Sequence, residues 1–230
     1  MADSMNDEKE KVAAREKRSS YCYPTRTLAD EYIKAVEEIN DVGLRKLIKL
    51  ILLCGWRFGE VINSYLFYDA DGRAIIRGLN LKNRKGFKII QKAGDLSYFL
   101  GAKRLNMLKR QDIWKSVELQ NVFNIDTEEI QNLINDEDND RVKYVAEHIG
   151  ITTYKDAYRR LQTHAKVIKI KYKRNEAETD IMMFYRPAFH FYRKLFAAQY
   201  NYVNNYNLMK TITFMRWKNL NVITKYVKDY

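Results

Sequence analysis

The spacing of apolar residues changes along the chain, and this change limits the possible fold more than any other feature. Helical spacing in the first quarter gives way to short apolar stretches that are separated by turn sequences such as Asp71-Gly72. These stretches, at 65–68, 73–81 and 87–91, predict a small antiparallel sheet. Helical spacing resumes at Ala102. The pattern predicts a mainly α fold with a small antiparallel β-sheet, an α+β architecture.

The helices can be placed from their apolar faces and end signals. The clearest one covers 44–53 and is ended by Gly55, and the next begins near Arg57. Segment 167–172 fits either a strand or a helix extension. The other predicted helices lie at about 27–39, 127–134, 153–165, 188–200 and 208–216.

The composition excludes several classes of protein. With 46% apolar residues and only nine Gly and two Pro among 230 residues, the chain is neither fibrous nor wholly disordered. Two Cys and three scattered His lack the number and spacing of a disulfide framework or a zinc site, so we expect no metal and no other cofactor. The longest apolar run, near 50–56, is too short for a membrane span, and we expect a cytoplasmic protein. Residues 1–24 are expected to be a flexible charged tail before one domain over 25–230.

The net charge of +12 is unevenly distributed. Residues 71–110 carry +9 from 11 basic and 2 acidic side chains, and residues 151–230 carry +11 from 16 and 5. The acidic block between them, 111–150, carries −7 from 3 and 10. Two basic blocks favour a polyanionic partner, because each phosphate that Lys or Arg neutralises releases counterions. The simpler alternative is a solvated basic face without a specific partner.

Two motifs place basic side chains where an anion could bind. Arg57 follows Gly55 at a predicted helix start, and Glu60 lies one turn later, where its carboxylate can hold the guanidinium. Such a pair alone is more often an ordinary surface salt bridge. Downstream, His190 and Arg193 share one helical face among Phe and Tyr residues. A basic pair in apolar surroundings needs an anion or a carboxylate as its partner.

Two further motifs complete the set. The basic turn Lys82-Asn83-Arg84-Lys85 could contact phosphate or could simply be solvated. Trp217 follows near the C-terminal end of the sequence, and Tyr226 comes nine residues after it.

In this order and spacing, the motifs resemble the catalytic domain of the tyrosine recombinases, the phage-integrase family. The matching features are Arg57 within Gly-x-Arg-x-x-Glu, the Lys-bearing hairpin, His190-x-x-Arg193, and Trp217 and Tyr226 at the family's spacing. The resemblance spans 25–230, and the stretch after His190 is most similar to the archaeal and archaeal-virus branch.

The resemblance implies the recombinase fold and metal-independent cleavage and rejoining of DNA strands. Arg57 and Arg193 would bind the non-bridging oxygens of the scissile phosphate. Tyr226 would attack phosphorus to form a 3′-phosphotyrosyl intermediate, and His190 would position or deprotonate it. Trp217 would pack against the phosphate and donate its indole N–H.

Lys82 would protonate the leaving 5′-oxygen, with Lys85 as the alternative. The implied partners are double-stranded DNA and further copies of this chain, as a dimer or tetramer at synapsis, with no membrane. Family members usually have a DNA-clamping domain before the catalytic domain and a docking segment after the Tyr, so we expect either a minimal recombinase or part of a longer one. A topoisomerase of type IB, which shares this chemistry, and a catalytically silent DNA-binding protein remain alternatives.

Overall fold

The computed structural model describes residues 26–79, 114–135, 142–163, 167–174, 177–184 and 188–217. This part of the chain combines helices with a small antiparallel sheet, which confirms the α+β prediction. In order, its elements are α1 (Arg26–Glu37), α2 (Val42–Cys54), α3 (Phe58–Ile62), β1 (Ser64–Tyr68), β2 (Ala74–Leu79), β3 (Trp114–Glu118), α4 (Glu128–Gln131), α5 (Val145–Ile149), α6 (Tyr154–Thr163), β4 (Val167–Arg174), β5 (Ala177–Phe184), α7 (Phe189–Val203) and α8 (Leu208–Met215).

Helix α2 is the centre of the core, as its long apolar sequence predicts. It begins where Asp41 accepts a hydrogen bond from the backbone N–H of Leu44 at 3.0 Å, and it ends where Gly55 adopts a left-handed backbone. From Leu47 to Cys54 every side chain is buried. A helix stretch that is buried on every side must be surrounded, and α2 contacts α1, α3, α4, α5, α6 and α7. Its one buried charge, Lys49, is paired with Glu37 at 2.7 Å.

The three-stranded sheet has the order β1-β2-β3, and both pairs are antiparallel. Strands β1 and β2 match the apolar stretches at 65–68 and 73–81, whereas the predicted strand at 87–91 lies outside the described residues. The third strand of the sheet is Trp114–Glu118, where helical spacing was predicted, so that prediction is wrong here. The strand was missed because its buried position holds Lys115 instead of an apolar residue, which removes the usual alternation.

The other helix predictions hold with changed lengths. Helices at 153–165, 188–200 and 208–216 correspond to α6, α7 and α8, and the helix at 127–134 shortens to the single turn of α4. The ambiguous segment 167–172 is a strand, because β4 pairs with β5 in a separate two-stranded antiparallel ribbon. No helix in the described ranges is long and apolar enough to cross a membrane.

The C-terminal helices pack against the end of α2. Phe196 of α7 and Met215 of α8 approach Gly55 so closely that a Cβ there would lie 2.4 Å from the Phe196 ring and 2.9 Å from the Met215 sulfur. Only glycine fits this junction, which also requires a φ of +64°. The packing therefore brings the start of α3, the middle of α7 and the end of α8 together at one end of α2.

Candidate active site

A small cleft of about 20 Å³, partly open to solvent, lies where these elements meet the sheet. Its lining includes four cationic side chains and one carboxylate. The lining residues are Trp56, Arg57, Glu60, Lys115, Arg193, Phe214, Met215 and Arg216. The net positive charge of this lining attracts anions to the opening of the cleft.

Arg57 and Glu60 form the pair that the sequence predicts. The backbone N–H of Arg57 donates to Glu60 Oε2 at 3.0 Å, and the Arg57 guanidinium lies 3.6 Å from Oε1 of the same carboxylate. The backbone N–H of Arg57 at the start of α3 is thus already bonded, instead of being open to a ligand. The Glu60 side chain is only 3% exposed, whereas the Arg57 side chain is 42% exposed and reaches the cleft opening.

Lys115 enters the cleft from β3 and was not identified from the sequence. Its ammonium lies 2.9 Å from Glu60 Oε1 and 3.8 Å from the centre of the Trp56 ring, and its side chain is 5% exposed. In the sheet register Lys115 lies opposite Gly78, and a Cβ on Gly78 would lie 3.1 Å from the Trp56 ring. The absence of a side chain at Gly78 thus leaves room for the indole beneath the ammonium.

Burial and charge set the protonation of this pair. Burial lowers the pKa of Lys115 to about 8, and the Arg193 charge acts in the same direction while Glu60 opposes it. Burial alone would raise the pKa of Glu60, but the Lys115 ammonium and the Arg57 N–H outweigh it, so the pKa of Glu60 is lowered overall. Glu60 is therefore ionised at neutral pH, and Lys115 can give up its proton near pH 8.

Helix α7 contributes Arg193 and His190. The Arg193 side chain is almost wholly buried, and its Nη1 donates to the carbonyl oxygen of Gly55, 138 positions earlier in the sequence. His190 lies one turn before it on the exposed side of the helix. Partial burial, then the charges of Arg193, Lys194 and Arg57, lower the pKa of His190 to about 4, so its imidazole is neutral at pH 7.

Trp217 is buried in an apolar cluster, whereas Arg216 before it lines the cleft. It lies just after α8, is 7% exposed and belongs to the apolar cluster of Phe196, Tyr200 and Met215. Arg216, the residue before it, lines the cleft. The sequence pattern had drawn attention to Trp217 and not to Arg216.

The structure therefore gathers Arg57 and Arg193 at one cleft and adds Lys115 and Arg216 to them. Lys82, Lys85 and Tyr226 lie outside the described residues, so their assigned roles stay predictions. Lys115 leaves a weak trace in the sequence, a lone lysine within a short stretch that contains Trp114 and Val117. Nothing local connects it with Arg57.

Among the described residues, no three or more His, Cys, Asp or Glu side chains gather as metal ligands. Comparison of the chain with models of known protein families, with curated proteins and with solved structures finds no match.

Proposed function

We propose that this protein is a DNA strand transferase of the tyrosine-recombinase type, which cleaves and rejoins DNA through a 3′-phosphotyrosyl intermediate. The observation that carries the proposal is the convergence of Arg57, Lys115 and Arg193 on one cleft from three distant segments of the chain. Binding to the phosphate backbone of DNA needs only cations on the protein surface. Burying two cations, Lys115 and Arg193, costs desolvation energy that DNA binding alone does not require. Their burial therefore favours a catalytic role.

The two guanidinium groups fit the charge that develops during phosphoryl transfer. A phosphodiester carries one negative charge, and the pentacoordinate transition state carries about two. The buried Arg193 guanidinium donates to the carbonyl oxygen of Gly55, so this donor is oriented before the substrate arrives. The Arg57 guanidinium is more exposed and lies 3.6 Å from Glu60 Oε1, which keeps it near the cleft. Preorganised donors of this kind typically contribute about 10²–10³ in rate each.

Lys115 is suited to act as the general acid. Its pKa of about 8 keeps it protonated at neutral pH yet makes its proton easier to transfer than that of an exposed lysine. In this step the ammonium would protonate the leaving 5′-oxygen as the bond between phosphorus and that oxygen breaks. Lys115 therefore competes with Lys82 and Lys85 for the role that the resemblance gives to a hairpin lysine.

The nucleophile in this proposal is Tyr226. Its phenolic oxygen would attack phosphorus and release its proton to water, while His190, whose pKa of about 4 makes it a weak base, would position the phenol by a hydrogen bond. The products are a tyrosine ester of the 3′-phosphate and a free 5′-hydroxyl, and reversal of the same steps rejoins the strand. Double-stranded DNA and a second copy of the chain at synapsis are the proposed partners.

The test is covalent trapping on a nicked suicide substrate, from which the short cleaved strand diffuses away. We expect the wild type to accumulate a protein–DNA adduct that resists denaturation, Tyr226→Phe to form none, and the matched variant Tyr230→Phe to form it normally. Trapping that survives in Tyr226→Phe and disappears in Tyr230→Phe would contradict the assignment of the nucleophile. A wild type that binds DNA and forms no adduct would support the DNA-binding alternative instead.

A plasmid-relaxation assay beside a two-site recombination assay separates the two enzymatic alternatives. Relaxation without recombination would identify the activity as that of a type IB topoisomerase. The recombinase proposal expects joined recombinant products that require both DNA sites.

A further inference from the structure

The end of α8 carries a backbone feature that its sequence does not favour. Arg216 adopts a left-handed conformation, with φ of 52° and ψ of 45°, and its N–H donates to the carbonyl oxygens of Ile212 and Thr213. This turn directs the next residue, Trp217, into the apolar cluster. A side chain with a Cβ adopts this conformation only at an energetic cost, which glycine avoids.

The chain uses glycine at the comparable positions. Among the described helices, α2 and α5 also end on a left-handed residue, and these residues are Gly55 and Gly150. Asn124, Asn205 and Tyr206 also have a positive φ, so the chain tolerates such a backbone with a side chain elsewhere. Of these four residues only Arg216 lines the cleft, and its place there suggests a reason beyond the turn itself. Strained backbone of this kind is concentrated at functional sites.

The side chain of Arg216 supplies the reason. It lines the cleft together with Arg57, Lys115 and Arg193, and its Nη2 lies 3.5 Å from the carbonyl oxygen of Ser116, the residue after Lys115. Unlike Arg193, Arg216 is exposed, so it lies where the cleft meets solvent.

The charges around the cleft also favour an anion as its ligand. Glu60 already balances one of the cations, because its carboxylate lies 2.9 Å from the Lys115 ammonium. The same carboxylate lies 3.6 Å from the Arg57 guanidinium, so it serves two of the four cations that line the cleft. The lining residues together keep a net positive charge, which a bound anion would reduce.

We propose that Arg216 is a third phosphate-binding arginine of this cleft, and that its left-handed backbone is retained because it aims the guanidinium at the DNA backbone. This inference rests on the proposed function for the identity of the anion. It adds a residue that no sequence motif indicated.

The test uses Arg216→Gly, which removes the guanidinium and relieves the backbone strain. We expect the melting temperature to stay the same or rise while DNA binding weakens. On a short duplex, the slope of log affinity against log salt should become less steep by about 1, and the loss should be similar on unrelated sequences, as for a phosphate contact. Asn205→Gly is the matched control, since Asn205 has the same left-handed backbone at an exposed turn outside the cleft lining.

A lower melting temperature in Arg216→Gly would overturn the strain argument, and an unchanged salt slope would overturn the phosphate contact. Both readouts are independent of cleavage. A wild type that forms no covalent adduct would therefore defeat the proposed function, while the salt slope still decides whether Arg216 binds phosphate.

Discussion

The buried pair of Glu60 and Lys115 gives the sharpest quantitative prediction. Replacing Glu60 with Gln keeps the size of the side chain and removes the charge that faces the Lys115 ammonium at 2.9 Å. The amide can still accept a hydrogen bond from the Arg57 N–H, so the start of α3 should persist. The variant therefore isolates the electrostatic contribution of the carboxylate.

Two routes are open to Lys115 in this variant. An ammonium that stays charged and buried without its partner costs about 3–5 kcal/mol. Loss of the Lys115 proton costs less. The pKa of Lys115 is about 8 in the wild type, which is one unit above pH 7, so deprotonation at pH 7 costs about 1.4 kcal/mol. We expect a neutral Lys115 and, with the weakened bond to Arg57, a loss of about 1.5–3 kcal/mol in the free energy of unfolding.

The pH dependence follows from the same pKa. Because the pKa of Lys115 is lowered from 10.5 to about 8, the unfolded wild type binds more protons than the folded one between these values, and this group makes stability rise with pH there. In folded Glu60→Gln the pKa of Lys115 falls further. Stability then rises with pH over a range that begins at a lower pH than in the wild type. The difference between the two proteins should be small at pH 9 and should grow by about 1.4 kcal/mol per pH unit below pH 8.

Urea unfolding at pH 6, 7, 8 and 9, followed by circular dichroism, measures this difference. Asp71→Asn is the control, because it breaks an exposed pair with Arg73 and should give no such trend. Cleavage offers a second readout: its alkaline limit should lie near pH 8 in the wild type and at lower pH in Glu60→Gln. An equal loss of stability at all four pH values would refute the account of Lys115 protonation.

Three further predictions concern the cleft and its surroundings. Arg193→Lys keeps the charge but loses the guanidinium fork, so single-turnover cleavage should fall by about 10²–10³ with little change in DNA affinity; a drop below tenfold would contradict the role of Arg193. Gly55→Ala should lower the free energy of unfolding by about 1–3 kcal/mol more than Gly150→Ala in urea, because a Cβ meets nothing within 4 Å at Gly150; equal losses would argue against the tight junction. DNA affinity should fall with salt with a log–log slope of about −3 or steeper, and a flat response in a fluorescence titration would exclude phosphate contacts.

Local features of the fold could be predicted from the sequence. The helix over 44–53 was predictable because its apolar spacing and its terminal glycine lie within a few turns of each other. The pairing of Arg57 with Glu60 was predictable for the same reason, since i and i+3 are neighbours on a helix.

Long-range features could not be predicted. Strand β3 joins the sheet from Trp114, far beyond β2, and its buried lysine makes sense only beside Glu60 and Trp56. The left-handed backbone of Arg216 could not be predicted either, because no sequence signal such as a glycine marks this position. Lys115 and Arg216 both line the cleft, so the candidate site contains more residues than the sequence motifs indicated.

Peptide mapping by mass spectrometry of the protein–DNA adduct, formed in the presence of a chelator, tests the central claim most directly. The account predicts a DNA 3′-phosphate esterified to Tyr226, and loss of that adduct when Arg57 or Arg193 is replaced by Ala. Attachment to a different residue, or an adduct that forms only when a divalent metal is supplied, would contradict it.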